Sequence, residues 1–358
     1  MLKKLFRKIY TSGSGVESRR VLNYFPSGQK PKGHALVSYI PEPLLYREND
    51  KRFMRHSNAW ESAETVRILN RLGYVVDAIS WDDRAFVPER DYDVVFDIHL
   101  NLLRCSSSGT SKILHCTGSD PEFSTRAERE RIEELLHRRQ RVVAPRRSVS
   151  EGDIQQFHAN LESADTVTLI GNEVTAATFP ERMRSKLTLV TPTGAHLAMV
   201  RDPNKTLLKK EFIWFNGTGA VHKGLDLVLE VFARNPDLVL HVVGPYRKEL
   251  DFAAAYEYEL TKCPNVFSHG FLYPSSRKFR RITRNILGFV SPSCSEGIST
   301  SAITCMQYGM VPILSRNSGI DLTPEMGCQL QKCTIGEIEE VILALLERPE
   351  HEIRRMMA

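Results

Sequence analysis

No stretch of eighteen consecutive apolar residues occurs in the sequence, so none reads as a helix spanning a bilayer. The opening residues also lack the apolar core and small-residue cleavage site of a secretory signal. Seven cysteines, at positions 105, 116, 263, 294, 305, 328 and 333, include no CxxC pair; an odd, scattered set suggests neither a disulfide framework nor a zinc site. A reducing, cytoplasmic setting is the expectation. Charge of one sign is scarce too: 48 Lys and Arg against 43 Asp and Glu leave +5, far from a nucleic-acid-binding balance but compatible with a small anionic ligand. With 21 Gly, 18 Pro, 25% charged residues and no short repeat, collagen-like, coiled-coil and disordered chains are excluded.

What is present is 358 residues, 42% of them hydrophobic, enough for two domains with sizeable cores. The first residues set Leu2, Leu5, Phe6 and Ile9 among Lys3, Lys4, Arg7 and Lys8, a pattern for a short helix on an anionic membrane face or for a frayed, solvated terminus. Residues 1–32 are therefore expected to be a flexible basic segment. Strands are expected at 34–40, 75–80, 94–98, 113–116, 164–170 and 187–190, with a helix over 58–72 stopped by Gly73. The stretch 122–147 carries eight arginines interleaved with Glu128, Glu130, Glu133 and Glu134, and Ile132, Leu135 and Leu136 give it a narrow apolar stripe. It reads as a solvated helix held by i,i+4 ion pairs, the alternative being a face for an anionic acceptor or lipid headgroups.

After a polar segment at 201–210 the alternation restarts, with strands at 212–215, 239–243, 266–271, 286–290 and 311–314 and helices at 225–233, 299–308 and 335–347. Strands alternating with helices imply crossover connections and parallel sheets. The fold class is thus α/β, with two Rossmann-like domains facing a central cleft: 33–200 and 211–358, joined by a linker at 201–210.

In such sheets ligands lie outside the carboxyl ends of the strands. Three turns there draw attention. Asn216-Gly-Thr-Gly-Ala-Val-His-Lys-Gly224 follows a strand and precedes a helix; glycines let backbone N–H groups approach a phosphate, and Lys223 adds a full positive charge. Ser291-Pro-Ser-Cys-Ser-Glu-Gly-Ile-Ser-Thr-Ser301 joins a strand to a helix start with one acid, Glu296, suited to sugar hydroxyls, while amides behind Gly297 suit a diphosphate. In the first half, His115-Cys-Thr-Gly-Ser-Asp120 follows a strand, and His115 is the candidate there for orienting a sugar or an attacking hydroxyl. His56, Asn58, Asn172, Thr193 and Gly194 are weaker candidates, more readily structural.

These residues resemble the retaining GT-B glycosyltransferases of the group 1 type. The resemblance is carried by Phe215-x-Gly217, His222-Lys223-Gly224, Val242-Val-Gly244, Val266-x-x-x-Gly270, Ser291-Pro-Ser-x-Ser-Glu-Gly297 and Met306-x-x-Gly309-x-x-Pro312-Ile313, and covers 212–320 closely. It implies transfer of a hexose from a nucleoside diphosphate sugar to a glycan or lipid-linked acceptor, with no bound metal and no further cofactor. Under it Lys223 contacts the diphosphate, Gly217, Gly219, Gly244 and Gly297 line the donor, Glu296 meets the hexose, and Ser299 and Thr300 offer backbone N–H groups. The family commonly has Arg after the first glycine and a second Glu eight residues beyond the first; here those positions hold Thr218 and Thr304. Loss of the Arg removes a bidentate phosphate contact, for which Arg247 or Lys248 are the expected replacements, and Thr304 keeps only a hydroxyl for the ribose. The expected partners are a nucleotide sugar and its acceptor, with association at the inner face of a membrane left open and no nucleic acid. A degenerate GT-B protein that binds a glycan or partner is the alternative, and an epimerase or phosphorylase a third reading, the latter without an evident lysine for a pyridoxal group. The chain stops at 358, where such proteins usually have a helix crossing back to the first domain; a missing crossover or a longer polypeptide is the expectation.

Overall fold

The structure, a computed structural model, describes residues 19–26, 30–47, 50, 53, 57–191 and 208–357. The basic pattern at 2–9, His56, Thr193, Gly194 and most of the 201–210 segment lie outside the described residues. Among the described residues, no helix is long and apolar enough to cross a membrane.

The chain forms two compact units, each discontinuous in sequence: residues 1–117, 150–170 and 180–193 make the first, and 118–149, 171–179 and 194–358 the second. The second thus takes in two pieces of the first half, where the sequence suggested a single boundary in the 201–210 segment.

The first unit is built on a seven-stranded sheet: β1 (Arg20–Tyr24), β2 (Gly33–Tyr39), β3 (Tyr74–Ser80), β4 (Val94–Asp97), β5 (Ser111–Cys116), β6 (Thr166–Ile170) and β7 (Leu187–Val190), in the order β1-β3-β2-β4-β5-β6-β7. Runs such as Ala35 to Tyr39 are buried throughout, as expected of strands covered on both faces. The first strand departs from the expected flexible segment of 1–32. β1 pairs antiparallel with β3, Val21 is buried, and the Arg20 guanidinium binds the Asp83 carboxylate at 2.6 and 3.0 Å. An arginine that finds a buried partner behaves unlike one in a solvated tail.

The second unit holds a six-stranded parallel sheet: β8 (Leu208–Phe215), β9 (Val239–Val243), β10 (Val266–Gly270), β11 (Ile286–Ser291), β12 (Val311–Ser315) and β13 (Cys328–Leu330), in the order β10-β9-β8-β11-β12-β13. The strand order reverses between β8 and β11. The turns after Phe215 and after Ser291 begin at the carboxyl ends of these two strands, the switch point at which open parallel sheets place their ligands. Helix Leu225–Arg234 is buried from Leu225 to Phe232, since the sheet takes one face and helix Ile335–Glu347 another.

The arginine-rich helix runs from Pro121 to Arg139 and belongs to this unit, which corrects the expectation of a solvated surface helix. Its internal pairs are loose: Arg126 to Glu130 is 3.8 Å and Arg138 to Glu134 is 3.9 Å. The close contacts go elsewhere. Arg138 binds Asp226 at 2.7 Å and Glu230 at 3.2 Å, Arg139 binds Glu259 at 2.8 Å, and buried Arg131 donates to the Pro292 carbonyl at 3.0 Å. Leu135 and Val143 join the core of the second unit.

Candidate functional site

Two turns meet at the β8/β11 switch point, and their mutual fit is fixed by groups that tolerate little change. Gly224 stands at φ +71° at the start of helix Leu225–Arg234, and a Cβ there would lie 2.6 Å from the Pro292 carbonyl oxygen. His222 bridges the turns: its Nε2 lies 2.7 Å from the Ser295 carbonyl oxygen, its Nδ1 3.5 Å from Cys294 Sγ, and its own carbonyl accepts from the Cys294 amide at 2.9 Å. Nε2 must carry the proton to donate to a carbonyl, and burial holds the imidazole well below its ordinary pKa and therefore neutral. Trp214 Nε1 donates to the Lys223 carbonyl at 3.0 Å, pinning the lysine's backbone.

The result is a buried ion pair. Lys223 Nζ binds Glu296 Oε1, with only 10% of each side chain exposed. Burial pulls the ammonium below the ordinary lysine range, and the Glu296 charge works against that shift. Glu296 is held from behind as well, because Ser119 Oγ donates to its carbonyl oxygen at 2.6 Å and Thr175 Oγ1 to the Gly297 carbonyl at 3.3 Å. Gly319, at φ +70°, backs the same loop; a methyl group there would overlap the Gly297 carbonyl.

Helix Thr300–Gln307 begins directly behind this loop. Ser299 is its cap: its Oγ accepts from the Ala302 amide at 3.3 Å, and its own amide donates to Ser318. Ser299 therefore has no amide left for a ligand. Its neighbours do, since the amides of Gly297, Ile298, Thr300 and Ser301 have no acceptor among the described residues. Four open amides at a helix N-terminus, a buried lysine and a carboxylate give a place for an anion next to a polyhydroxyl group.

The remaining sequence candidates divide. Gly217 faces open space among the described residues, with none of their atoms within 4 Å of a Cβ built on it, so a ligand has room there. Gly219 does not offer its N–H: Glu249 Oε1 accepts from it at 2.7 Å, and the Ala220 amide is taken by the same carboxylate at 3.0 Å. A buried acid thus fills the spot in this turn that the sequence offered to a phosphate. Gly244 is a packing glycine, since a Cβ would come within 2.6 Å of the Asn216 carbonyl. Thr304 turns its hydroxyl back to the Thr300 carbonyl at 2.8 Å. Arg247 is exposed, donates to the Ser268 carbonyl at 3.1 Å and lies beside Gly270, at the β9 and β10 end of the sheet. Lys248, in the same short turn, is likewise exposed. A recess of about 760 Å³ on the same unit mixes Arg126, Arg131, Arg316 and Lys332 with Glu130 and Glu134, and includes neither Lys223 nor Glu296.

His115 sits in the first unit at the end of β5, packed against Phe96 with 5.5 Å between ring centroids. Its Nδ1 lies 2.7 Å from Thr168 Oγ1 and its Nε2 3.7 Å from Glu61 Oε1, too long for a hydrogen bond, so that buried Nε2 has no hydrogen-bond partner among the described residues. Asp120, by contrast, caps the arginine-rich helix, and Asn172 caps a short one while its Nδ2 donates to Asp321 at 2.7 Å. The sequence reading missed Arg147, whose stem crosses Gly219, along with the bridging role of His222 and the acid Glu249. Only the fold brings residue 147 to residue 219, so no local signal pointed to it.

Residues 200–356 match the family described as "Glycosyl transferases group 1". A search of curated proteins finds no match. Among solved structures the chain is similar to sucrose-phosphate synthase from Thermosynechococcus elongatus, with TM-score 0.61 and 13% identity over 92% of each chain. It is also similar to HepE of Anabaena in complex with UDP and glucose, with TM-score 0.54 and 10% identity over 91% of this chain and 93% of that one. S. aureus TarM in complex with fondaparinux, α-GlcNAc-glycerol and UDP gives TM-score 0.51 and 12% identity; 74% of this chain is covered, and the match spans about half of TarM's length. At these identities the likeness is one of fold. The chain has the GT-B fold, two α/β units with Rossmann-like sheets, and residues 200–356, within the second unit, match the group 1 glycosyl transferase family.

Proposed function

We propose that the chain is a retaining, metal-independent glycosyltransferase that moves a hexose from a nucleoside diphosphate sugar to a glycan or lipid-linked acceptor. The observation that carries this is the buried Lys223–Glu296 pair set before the four open amides at the start of helix Thr300–Gln307. Structures of similar fold hold UDP and sugars, which favours a nucleoside diphosphate donor here.

The chemistry follows from charge. As the bond from the anomeric carbon to the diphosphate breaks, negative charge grows on the leaving oxygens, and fixed amides and an ammonium already in place stabilise it without reorganisation. Glu296 exchanges its lysine contact for hydroxyls of the hexose and orients the ring. In a retaining reaction the acceptor oxygen enters from the face the nucleotide leaves, and the departing phosphate takes the acceptor proton. The role given to His115, orienting the sugar or the attacking hydroxyl, rests on its buried Nε2, which has no hydrogen-bond partner among the described residues.

The test is release of the nucleoside diphosphate from a panel of nucleotide sugars, with and without acceptor and with and without a chelator. Glu296→Gln and Lys223→Ala are expected to abolish turnover, and the chelator to change nothing. A second reading, a non-catalytic GT-B binding module, is favoured by the Thr304 hydroxyl, which is spent on its own helix. Donor binding without turnover, in every acceptor condition, supports that reading and refutes the first.

A further inference from the structure

Arg147 belongs to no ion pair and its guanidinium to no hydrogen bond among the described residues, yet its position is closely fixed. The Glu128 carboxylate, 1% exposed, accepts from the Arg146 amide at 3.0 Å, the Arg147 amide at 2.9 Å and Ser148 Oγ at 2.8 Å. This clamp, on the arginine-rich helix, lays the Arg147 stem across the glycine turn: Cγ is 3.0 Å and Cδ 3.5 Å from where a Cβ of Gly219 would stand. Any side chain at 219 would push the arginine away. The neighbouring Arg146 is used up differently, bound to Asp251.

We propose that Arg147, which lies outside the matched family segment, is a donor-contacting residue that supplies the second positive charge for the nucleoside diphosphate beside Lys223. This rests on the donor site described above. Glu296 neutralises Lys223, Glu249 occupies the glycine-turn amides, and Thr218 carries no charge, so without Arg147 the turn presents no surplus cation to a ligand bearing two or more negative charges. Stability gives no reason for the arrangement. The Arg147 charge lowers the pKa of both Lys223 and His222, a repulsion that the fold carries unless an anion relieves it. The guanidinium is also suited to the task, offering several N–H donors in a planar fork that matches phosphate oxygens.

Calorimetric titration of the full chain with UDP, GDP and ADP, and with uridine as a phosphate-free control, tests this. A charged hydrogen bond of roughly 1.5–3 kcal/mol corresponds to about a tenfold to hundredfold loss of affinity. Arg147→Gln is expected to weaken the best-bound diphosphate by that factor, to leave uridine binding and the melting temperature unchanged, and to reduce the salt dependence of binding; Arg147→Lys is expected to recover part of the loss. Wild-type affinity in Arg147→Gln, together with lost binding in Lys223→Ala, overturns the role of Arg147 and leaves the donor site standing. Failure of the wild-type chain to bind any of the three diphosphates at millimolar concentration overturns both.

Discussion

Replacing Arg138 by Met tests whether the arginine-rich helix is bound into the second unit or merely rests on its surface. Arg138 bridges Asp226, whose side chain is fully buried, and Glu230, 7% exposed, while its own side chain is 24% exposed. Tyr256 also donates to Glu230, at 2.8 Å, so Glu230 keeps a partner when the arginine goes. Asp226 keeps no hydrogen-bond partner among the described residues: its Oδ1 already lacks one, and burial pushes its carboxyl up to about 6 even with the Arg131 and Arg138 charges nearby. Removing one member of a buried pair costs roughly 3–5 kcal/mol; with the arginine side chain already about a quarter exposed, about 2–4 kcal/mol is expected here. The sign with pH follows from the raised carboxyl. The folded state pays to keep Asp226 ionised at pH 8, and loses that penalty as pH falls and the carboxyl takes up a proton, so the defect is larger at pH 8 than at pH 5.5. Adding Asp226→Asn should recover most of the loss. Urea denaturation followed by circular dichroism at both pH values reads all three variants. A wild-type midpoint for Arg138→Met at pH 8, or a larger defect at pH 5.5, refutes the bridging role.

Three further outcomes are expected. His222 is held neutral in the fold, while an unfolded histidine takes a proton near pH 6.5, so its stabilisation is complete above that pH and shrinks below it. The stability advantage of wild type over His222→Gln should therefore fall by about 1.4 kcal/mol between pH 7.5 and 5.5; an advantage that is constant with pH contradicts the neutral bridge. Gly319→Ala adds a methyl at a positive φ against the Gly297 carbonyl, and both melting temperature and nucleotide affinity should fall, whereas Gly217→Ala, set in open space, should keep the melting temperature and lose only affinity. Equal melting losses for the two glycine variants contradict this account of the loop.

The alternation of strands and helices was legible because it lies in local periodicity, and the turns after Phe215 and Ser291 could be singled out because parallel sheets place ligands at strand ends. What stayed hidden was the choice of partner. In sequence Arg138 sits four residues from Glu134, which made an intrahelical pair the natural reading, yet its close partner is Asp226, 88 residues away. Glu249, which fills the amides of Gly219 and Ala220, is 30 residues beyond the turn it caps, and Arg147 reaches that turn from 72 positions before Gly219. Spacing along a helix says which side chains are neighbours on it, not which distant carboxylate will be buried beside them. β1 escaped notice for the same reason: it pairs with β3, and its Arg20 finds the Asp83 carboxylate 63 residues away.

The central claim is tested most directly by a crystal structure of the full chain with the tightest-binding nucleoside diphosphate. The account predicts the diphosphate against the amides of Gly297, Ile298, Thr300 and Ser301, with Lys223 Nζ on a phosphate oxygen and Glu296 turned toward the vacated sugar position. A nucleotide bound in the recess lined by Arg316 and Lys332, or anywhere that leaves the Lys223–Glu296 pair intact and those four amides without the phosphate, would contradict it.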